Sequence, residues 1–160
     1  MDTYEHEQGK WKVNKDSTVL ALDPGEDTGI AIWWGEDNLH ASFELPYDKV
    51  GKWLEDFLIL TRPGAIVYEA FDITMETVKK NAPDTSIRVI GILDYLAAKY
   101  QHPTPIKQKR SKRKIMNDRR LKHLGWYTSE GDGHNNDASR HLGAFLLDHK
   151  LIDGKGLADL

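Results

Sequence analysis

Two short apolar runs that each end in an acidic residue constrain this chain more than any other feature. Residues 18–22 run into Asp23, and residues 65–68 run into Glu69. A third acid, Asp137, lies shortly before an apolar helical stretch at 142–147. A carboxylate is costly to bury without a partner, and carboxylate oxygens are the ligands that hard divalent cations prefer. If the fold gathers the three acids, they predict a site for a divalent metal ion.

The order of the predicted elements is that of an α/β domain. Four runs are short, apolar and bounded by turn residues, as strands are, and they lie at 18–22, 29–34, 39–45 and 65–68. Apolar residues at helical spacing predict helices at 47–60, 87–100 and 136–149, and a short fifth strand is predicted at 103–107. The polar stretch 71–86 predicts a loop or a short helix. Three strands followed by alternating helices and strands predict a mixed sheet with helices packed on it.

Length and composition indicate a single intracellular domain. A chain of 160 residues suits one domain, and it has neither a membrane-spanning apolar run nor a signal-peptide pattern. The absence of cysteine excludes disulfides and thiolate metal sites and is typical of the reducing cytoplasm. We divide the chain into a polar extension at 1–16, a folded domain at 17–149 and a C-terminal tail at 150–160.

The positive charge of the chain is concentrated in one segment. The whole chain has a net charge of −3, yet nine Lys or Arg residues and a single acid, Asp118, lie between Lys107 and Lys122. This segment therefore carries +8 and the rest of the chain −11. Such asymmetry predicts a localised contact with a polyanion, and phosphate contact explains it better than solubility does. The predicted DNA-binding residues of the segment are Lys107, Lys109, Arg110, Lys112, Arg113, Lys114, Arg119 and Arg120.

Each acid also has an ordinary structural explanation. Asp23 begins an Asp-Pro-Gly turn, and Glu69 suits an ion pair with a surface lysine. Asp137 suits the start of a helix, where the helix dipole favours a negative charge. His134 lies three residues earlier, on the same side of the helix entry. The four residues together, rather than any one alone, indicate a functional site.

Three motifs, taken in order, resemble the RuvC-type Holliday junction resolvases of the RNase H-like superfamily. They are Leu20-Ala-Leu-Asp23-Pro-Gly-x-x-Thr-Gly-Ile-Ala, Ile66-Val-Tyr-Glu69 and His134-x-x-Asp137-Ala-x-x-His141. The resemblance spans roughly residues 18–148 and is greatest to a compact, phage-type branch. It implies an RNase H-like fold over residues 17–149, with a mixed five-stranded sheet and helices packed on both faces.

The resemblance implies a metal-dependent endonuclease that resolves four-way DNA junctions by paired nicks, in a bacterial or phage-infected cytoplasm. Asp23, Glu69 and Asp137 correspond to the family's acids, and His134 to the ligand position three residues before the last acid. They would hold two Mg²⁺ ions about 4 Å apart, for which Mn²⁺ can substitute. Phe71 is the candidate for the aromatic residue that wedges into the junction. The family is homodimeric, and neither a nucleotide cofactor nor a membrane is implied.

Three other classes of protein share parts of this pattern. A nuclease of the same superfamily could act on flaps, other branched DNA or RNA–DNA hybrids, although ribonuclease H places its glutamate on a helix whereas Glu69 ends a strand. An actin- or Hsp70-type ATPase shares the Asp-x-Gly turn but needs a second phosphate loop and a second domain. A non-catalytic junction-binding protein is the third alternative, and the presence of all three acids argues against it.

Overall fold

A computed structural model describes residues 4–5, 12–76 and 84–160 of the chain. The strands are β1 Tyr4–Glu5, β2 Lys12–Val13, β3 Thr18–Asp23, β4 Asp27–Trp34, β5 Leu39–Pro46, β6 Ala65–Glu69 and β7 Ile106–Gln108. The helices are α1 Tyr47–Thr61, α2 Thr85–Lys99, α3 Asp118–Leu124 and α4 His134–Asp148, with a 3-10 helix at Arg110–Ile115. The predicted strands and long helices are confirmed to within a few residues. The extension at 1–16 and the loop at 71–86 lie partly outside the described residues.

A mixed sheet of five strands, in the order β5-β4-β3-β6-β7, lies at the centre of the molecule. Strands β3, β4 and β5 are antiparallel because tight turns connect them. Strands β3, β6 and β7 are parallel because the connections between them contain α1 and α2. Strands β1 and β2 pair in a separate two-stranded sheet. The predicted α/β class and five-stranded mixed sheet are confirmed.

Alternate side chains of the central sheet enter two separate apolar cores. On one face, β3 contributes Val19 and Ala21 to a core with α3 and α4. On the other face, Leu20 and Leu22 pack with α1 and α2. Helices therefore cover both faces, as predicted. Within the described ranges, no helix is long and apolar enough to cross a membrane.

Local backbone chemistry fixes where the elements around the site begin and end. Pro24 has no amide hydrogen to donate to a neighbouring strand, so β3 ends at Asp23. Helix α1 ends where Arg62 adopts a left-handed backbone with φ of 45° and Pro63 follows. Helix α4 begins after Gly133, whose φ of 94° is readily adopted only by glycine. These breaks place Asp23 at a strand end and His134 at a helix start.

Candidate active site

The predicted site residues of the sheet lie in one row that crosses all five strands. The register pairs Asp23 with Gly29, Gly29 with Glu44, and Glu69 with Gln108. Strands β3 and β6 pair in parallel up to the residues just before Asp23 and Glu69, so these two acids lie side by side. Residues paired across neighbouring strands face the same side of a sheet. The row therefore faces the side that α4 covers.

Helix α4 lies across this row and contacts it at the start of the helix and again two turns later. The backbone of His134 lies directly against Gly29 in β4, and the side chain of His141 reaches Glu69 in β6, two strands away. The seven residues from His134 to His141 advance about 10.5 Å along a helix. Two spacings between strands amount to about 9.6 Å. The i, i+7 spacing of the two histidines therefore matches the width of the sheet that they span.

Asp23 is buried and is held by His134. The Oδ2 atom of Asp23 lies 2.9 Å from Nδ1 of His134, and the carboxylate is only 10% exposed. Burial raises the pKa of Asp23, and the charges of Glu69 and Asp137 add to this rise, while the hydrogen bond with His134 opposes it. Burial alone would lower the pKa of His134, but the hydrogen bond and charge of Asp23 raise it above its ordinary value. Glu69 and Asp137 are therefore close enough to Asp23 for their charges to affect it.

Glu69 is also buried, and it has several partners. Its Oε2 atom lies 2.8 Å from Nε2 of His141, whose Nδ1 lies 2.7 Å from Oε1 of Gln108. Arg113 and Arg110 approach the same carboxylate at 3.1 and 3.4 Å. Burial raises the pKa of Glu69, but the hydrogen bond with His141 and the positive charge of Arg113 outweigh burial, so the pKa lies below its ordinary value. Glu69 is therefore ionised and firmly oriented.

Asp137, the third predicted acid, lies one turn after the start of α4. Its two carboxylate oxygens accept hydrogen bonds from Arg113 and Arg140, and Arg140 also pairs with Asp118. Arg113 thus joins Glu69 to Asp137 through a single guanidinium. In the described parts of the chain, no three or more Asp, Glu or His side chains are gathered closely enough to hold one metal ion. The positive charge of the Arg113 side chain occupies the space between two of the acids.

The donor chemistry of the site nevertheless fits Mg²⁺ or Mn²⁺. Asp23, Glu69 and Asp137 offer carboxylate oxygens, which these ions prefer, and His134 adds an imidazole. Burial is the main cause of the raised pKa of Asp23, and repulsion from Glu69 and Asp137 adds to it. A divalent cation would relieve that repulsion. Binding of an ion between Glu69 and Asp137 requires Arg113 to withdraw, because its guanidinium contacts both of them.

Some Lys and Arg side chains of the basic segment make contacts within the fold, and the others are exposed on the surface. Arg113 lies in the acidic site, Lys112 pairs with Asp148 at 2.6 Å, and Arg120 donates to the carbonyl of Ile115. The predicted DNA-binding residues that remain exposed are Lys107, Lys109, Arg110, Lys114 and Arg119. Among these, Lys107 pairs with Asp72 and Arg110 approaches Glu69. The segment therefore presents part of its charge outward, beside the acids.

Phe71, the predicted wedge residue, lies two residues after Glu69 and is half-buried. Two apolar side chains just beyond it project much further into solvent, since Ile73 is 68% exposed and Met75 is 73% exposed. The loop after β6 therefore carries apolar side chains on its surface close to the site. The sequence indicated Phe71 because it is aromatic. In the structure, Ile73 and Met75 are far more exposed than Phe71 is.

Three residues of the site received no role from the sequence, namely Glu44, Gln108 and His141. Glu44 lies near the end of β5 on the side that faces α4. It accepts backbone hydrogen bonds from Asp132 and from His134 at the start of that helix. Gln108 ends β7 in the same row. The available signal was the inward alternation of polar residues along β5, at positions 40, 42 and 44. Only the strand register shows that Glu44 and Gln108 share a row with the acids, and only the packing of α4 shows that His141 reaches Glu69.

Together, the sheet order, the helices on both faces and the row of acids at the strand ends define an RNase H-like α/β protein. Among solved structures, the chain is similar to Thermus thermophilus RuvC in complex with a Holliday junction substrate, with a TM-score of 0.60 and 12% sequence identity, covering 84% of this chain and 96% of that one. A second Thermus thermophilus RuvC structure gives a TM-score of 0.58 at 12% identity, with 84% and 97% covered. The yeast mitochondrial Holliday junction resolvase Ydc2 gives 0.58 at 11% identity, with 87% and 81% covered.

These similarities confirm, at the level of fold, the resemblance to RuvC-type resolvases that the three motifs indicated. The fold covers most of the chain and nearly the full length of the RuvC structures. No protein-family model matches the sequence, and a search of curated proteins finds no match. The similarity to these structures is therefore one of backbone and element order, at 11–12% sequence identity.

Proposed function

We propose that this protein is a metal-dependent endonuclease that resolves four-way DNA junctions by paired nicks. The observation that carries the proposal is the row of Asp23 and Glu69 at adjacent strand ends, crossed by a helix that carries His134 and Asp137. The same fold occurs in Thermus thermophilus RuvC bound to a Holliday junction substrate. A polyanionic substrate also suits the exposed cations beside the acids.

In this proposal, Asp23, Glu69, His134 and Asp137 would hold two Mg²⁺ or Mn²⁺ ions. When bound, such ions activate a water molecule and stabilise the leaving oxygen of a phosphodiester. The chain's own residues orient these ligands. Asp23 fixes the imidazole of His134 through Nδ1, which leaves Nε2 to orient a water molecule in a partly exposed site. His141 prevents the Glu69 carboxylate from rotating, because it binds one of the two carboxylate oxygens.

The proposed substrate contacts follow from the charge of the basic segment. Its exposed Lys and Arg side chains would bind phosphates, which positions DNA without reading its sequence. The loop after β6 would meet the unpaired bases at the centre of a junction. Phe71 remains the predicted wedge residue, and the exposed Ile73 and Met75 would extend the apolar contact.

The test of this function is cleavage of a labelled synthetic four-way junction with Mg²⁺ or Mn²⁺. We expect paired, symmetric nicks from the native protein. For Asp23→Asn we expect the cleavage rate to fall by at least about 1,000-fold, because the loss of a metal ligand should raise the activation barrier by about 4 kcal/mol. The Asp153→Asn variant removes an exposed acid outside the site and should cleave normally. Cleavage retained by Asp23→Asn would contradict the proposed site. Cutting of flaps or RNA–DNA hybrids in preference to the junction would contradict the proposed substrate.

We also propose that the protein is a homodimer with α2 at the interface, which would pair two sites for two nicks. Ile87 and Tyr95 lie two turns apart on α2 and are 41% and 64% exposed, so they are available to pack against a second copy of the helix. Light scattering should give about twice the chain mass of 18.3 kDa. The Tyr95→Glu variant should shift this mass toward the monomer. A monomeric native protein at micromolar concentration would contradict the dimer.

A further inference from the structure

We propose that Glu44 is a positioning residue, which holds the start of α4 and thereby places His134 and Asp137 opposite the acids of the sheet. Its consequence for catalysis rests on the function proposed above. Glu44 lies on β5, two strands away from Asp23, and nothing in the sequence motifs draws attention to it.

The carboxylate of Glu44 binds the backbone at the beginning of α4. One oxygen, Oε1, accepts hydrogen bonds from the amides of His134 at 2.9 Å and Asn135 at 3.4 Å. The other, Oε2, accepts from the amide of Asp132 at 3.1 Å. The first amides of a helix have no partner within the helix, and a negative charge is favourable there. Glu44 therefore satisfies two of the first amides of α4 and one amide of the loop before it.

Helix α4 depends on this contact because its own N-cap residue provides none. That residue is Gly133, which has no side chain to accept a hydrogen bond. The preceding loop closes tightly around the Glu44 carboxylate, since a Cβ atom on Gly131 would lie only 2.7 Å from its Oε2. Burial raises the pKa of Glu44, but the backbone hydrogen bonds outweigh burial and lower the pKa below its ordinary value.

The position of Glu44 in the sheet explains how this contact reaches the active site. Glu44, Gly29 and Asp23 are consecutive members of the same row. Gly29 lets the backbone of His134 lie directly on the sheet. Glu44 then holds that backbone from one side, while Asp23 holds the imidazole from the other. Asp137 follows one turn later, so its place depends on the same anchor.

The experiment compares Glu44→Ala and Glu44→Gln with the native protein, and uses Glu130→Ala as a control that removes an exposed acid from the same loop. Three quantities are measured: amide hydrogen exchange at His134 and Asn135, Mn²⁺ affinity by electron paramagnetic resonance, and the kcat and junction Kd of cleavage. For Glu44→Ala we expect exchange at these amides to be at least about tenfold faster. Mn²⁺ affinity and kcat should each fall about 10- to 100-fold, as for lost outer-shell partners of metal sites.

The junction Kd should stay within about twofold, because Glu44 does not belong to the predicted phosphate-binding set. Glu44→Gln should recover part of the lost Mn²⁺ affinity and kcat, since its amide oxygen can still accept hydrogen bonds. A general loss of structure would differ from this result, because it would weaken junction binding as well. Unchanged amide exchange, or unchanged Mn²⁺ affinity and kcat, in Glu44→Ala would overturn the proposal. If the native protein neither binds Mn²⁺ nor cuts junctions, the proposed function fails, and amide exchange then decides the role of Glu44 alone.

Discussion

Replacing Gly29 by alanine is expected to abolish junction cleavage and to lower the free energy of unfolding by about 3 kcal/mol, the upper end of the usual range for overpacking. A Cβ atom at this position would lie 1.9 Å from the carbonyl oxygen of His134 and 2.8 Å from the amide nitrogen of Asn135. Both are backbone atoms, so no side-chain rotation can relieve the clash. The start of α4 would have to move away from the sheet, and His134 and Asp137 would move with it.

The measurement is chemical denaturation together with cleavage of the four-way junction. Gly51→Ala is the matched control, because a Cβ atom on Gly51 in α1 would lie 3.7 Å from Ile92, an ordinary contact distance, and alanine is favoured over glycine in a helix by about 1 kcal/mol. We therefore expect Gly51→Ala to stabilise the protein slightly and Gly29→Ala to disrupt it. An active Gly29→Ala protein of native stability would show that α4 need not lie against β4 for the site to work.

The sequence was sufficient to predict the elements and the acids, because these depend on local patterns. Apolar runs that stop at Asp23 and Glu69 locate strand ends without any tertiary information, and the spacing from His134 to Asp137 places both near the start of one helix. The sheet class followed from the order of strands and helices. Each of these inferences needs only the periodicity of the chain and the turn residues that interrupt it.

The sequence could not show which residues share a row. Glu44 and Gln108 belong to the site only because the register of β5 and β7 brings them level with the acids. The alternation of polar residues along β5 places Glu44 on one face of its strand, but it does not show that this face also carries the acids. Whether a residue belongs to the row depends on which strands pair and in what register. A single sequence does not show the pairing of segments that are distant along the chain.

Charge counting had a similar limit in the basic segment. The excess of cations predicted contact with a polyanion, and a count of charges does not distinguish Arg113 from Lys114. In the fold, Lys114 is exposed, whereas Arg113 is 21% exposed and contacts two site acids. A 3-10 helix separates neighbouring side chains by about 120°, so adjacent cations of one run can have opposite environments. Substitutions of Arg113 and Lys114 should therefore have different effects.

Replacing Arg113 by alanine is expected to destabilise the metal-free protein and to strengthen its binding of Mn²⁺. Removing one partner of a buried ion pair costs about 3 kcal/mol at the lower end of the usual range, and Arg113 compensates both Glu69 and Asp137. For a chain of this size, that loss corresponds to a fall in Tm of about 6–12 °C. The same two carboxylates would then be open to a cation, so Mn²⁺ affinity should rise about tenfold or more.

The measurement is a thermal unfolding series at increasing Mn²⁺ concentration, in which ligand binding to the folded state raises the Tm according to its affinity. The Arg113→Ala protein should begin with a lower Tm and gain more from Mn²⁺ than the native protein does. Lys114→Ala is the matched control, because it removes a neighbouring cation that is exposed on the same 3-10 helix. It should leave both the Tm and its Mn²⁺ response unchanged and weaken only junction binding. Weaker Mn²⁺ binding by Arg113→Ala would mean that the guanidinium supports the metal site rather than competing with the metal for Glu69 and Asp137.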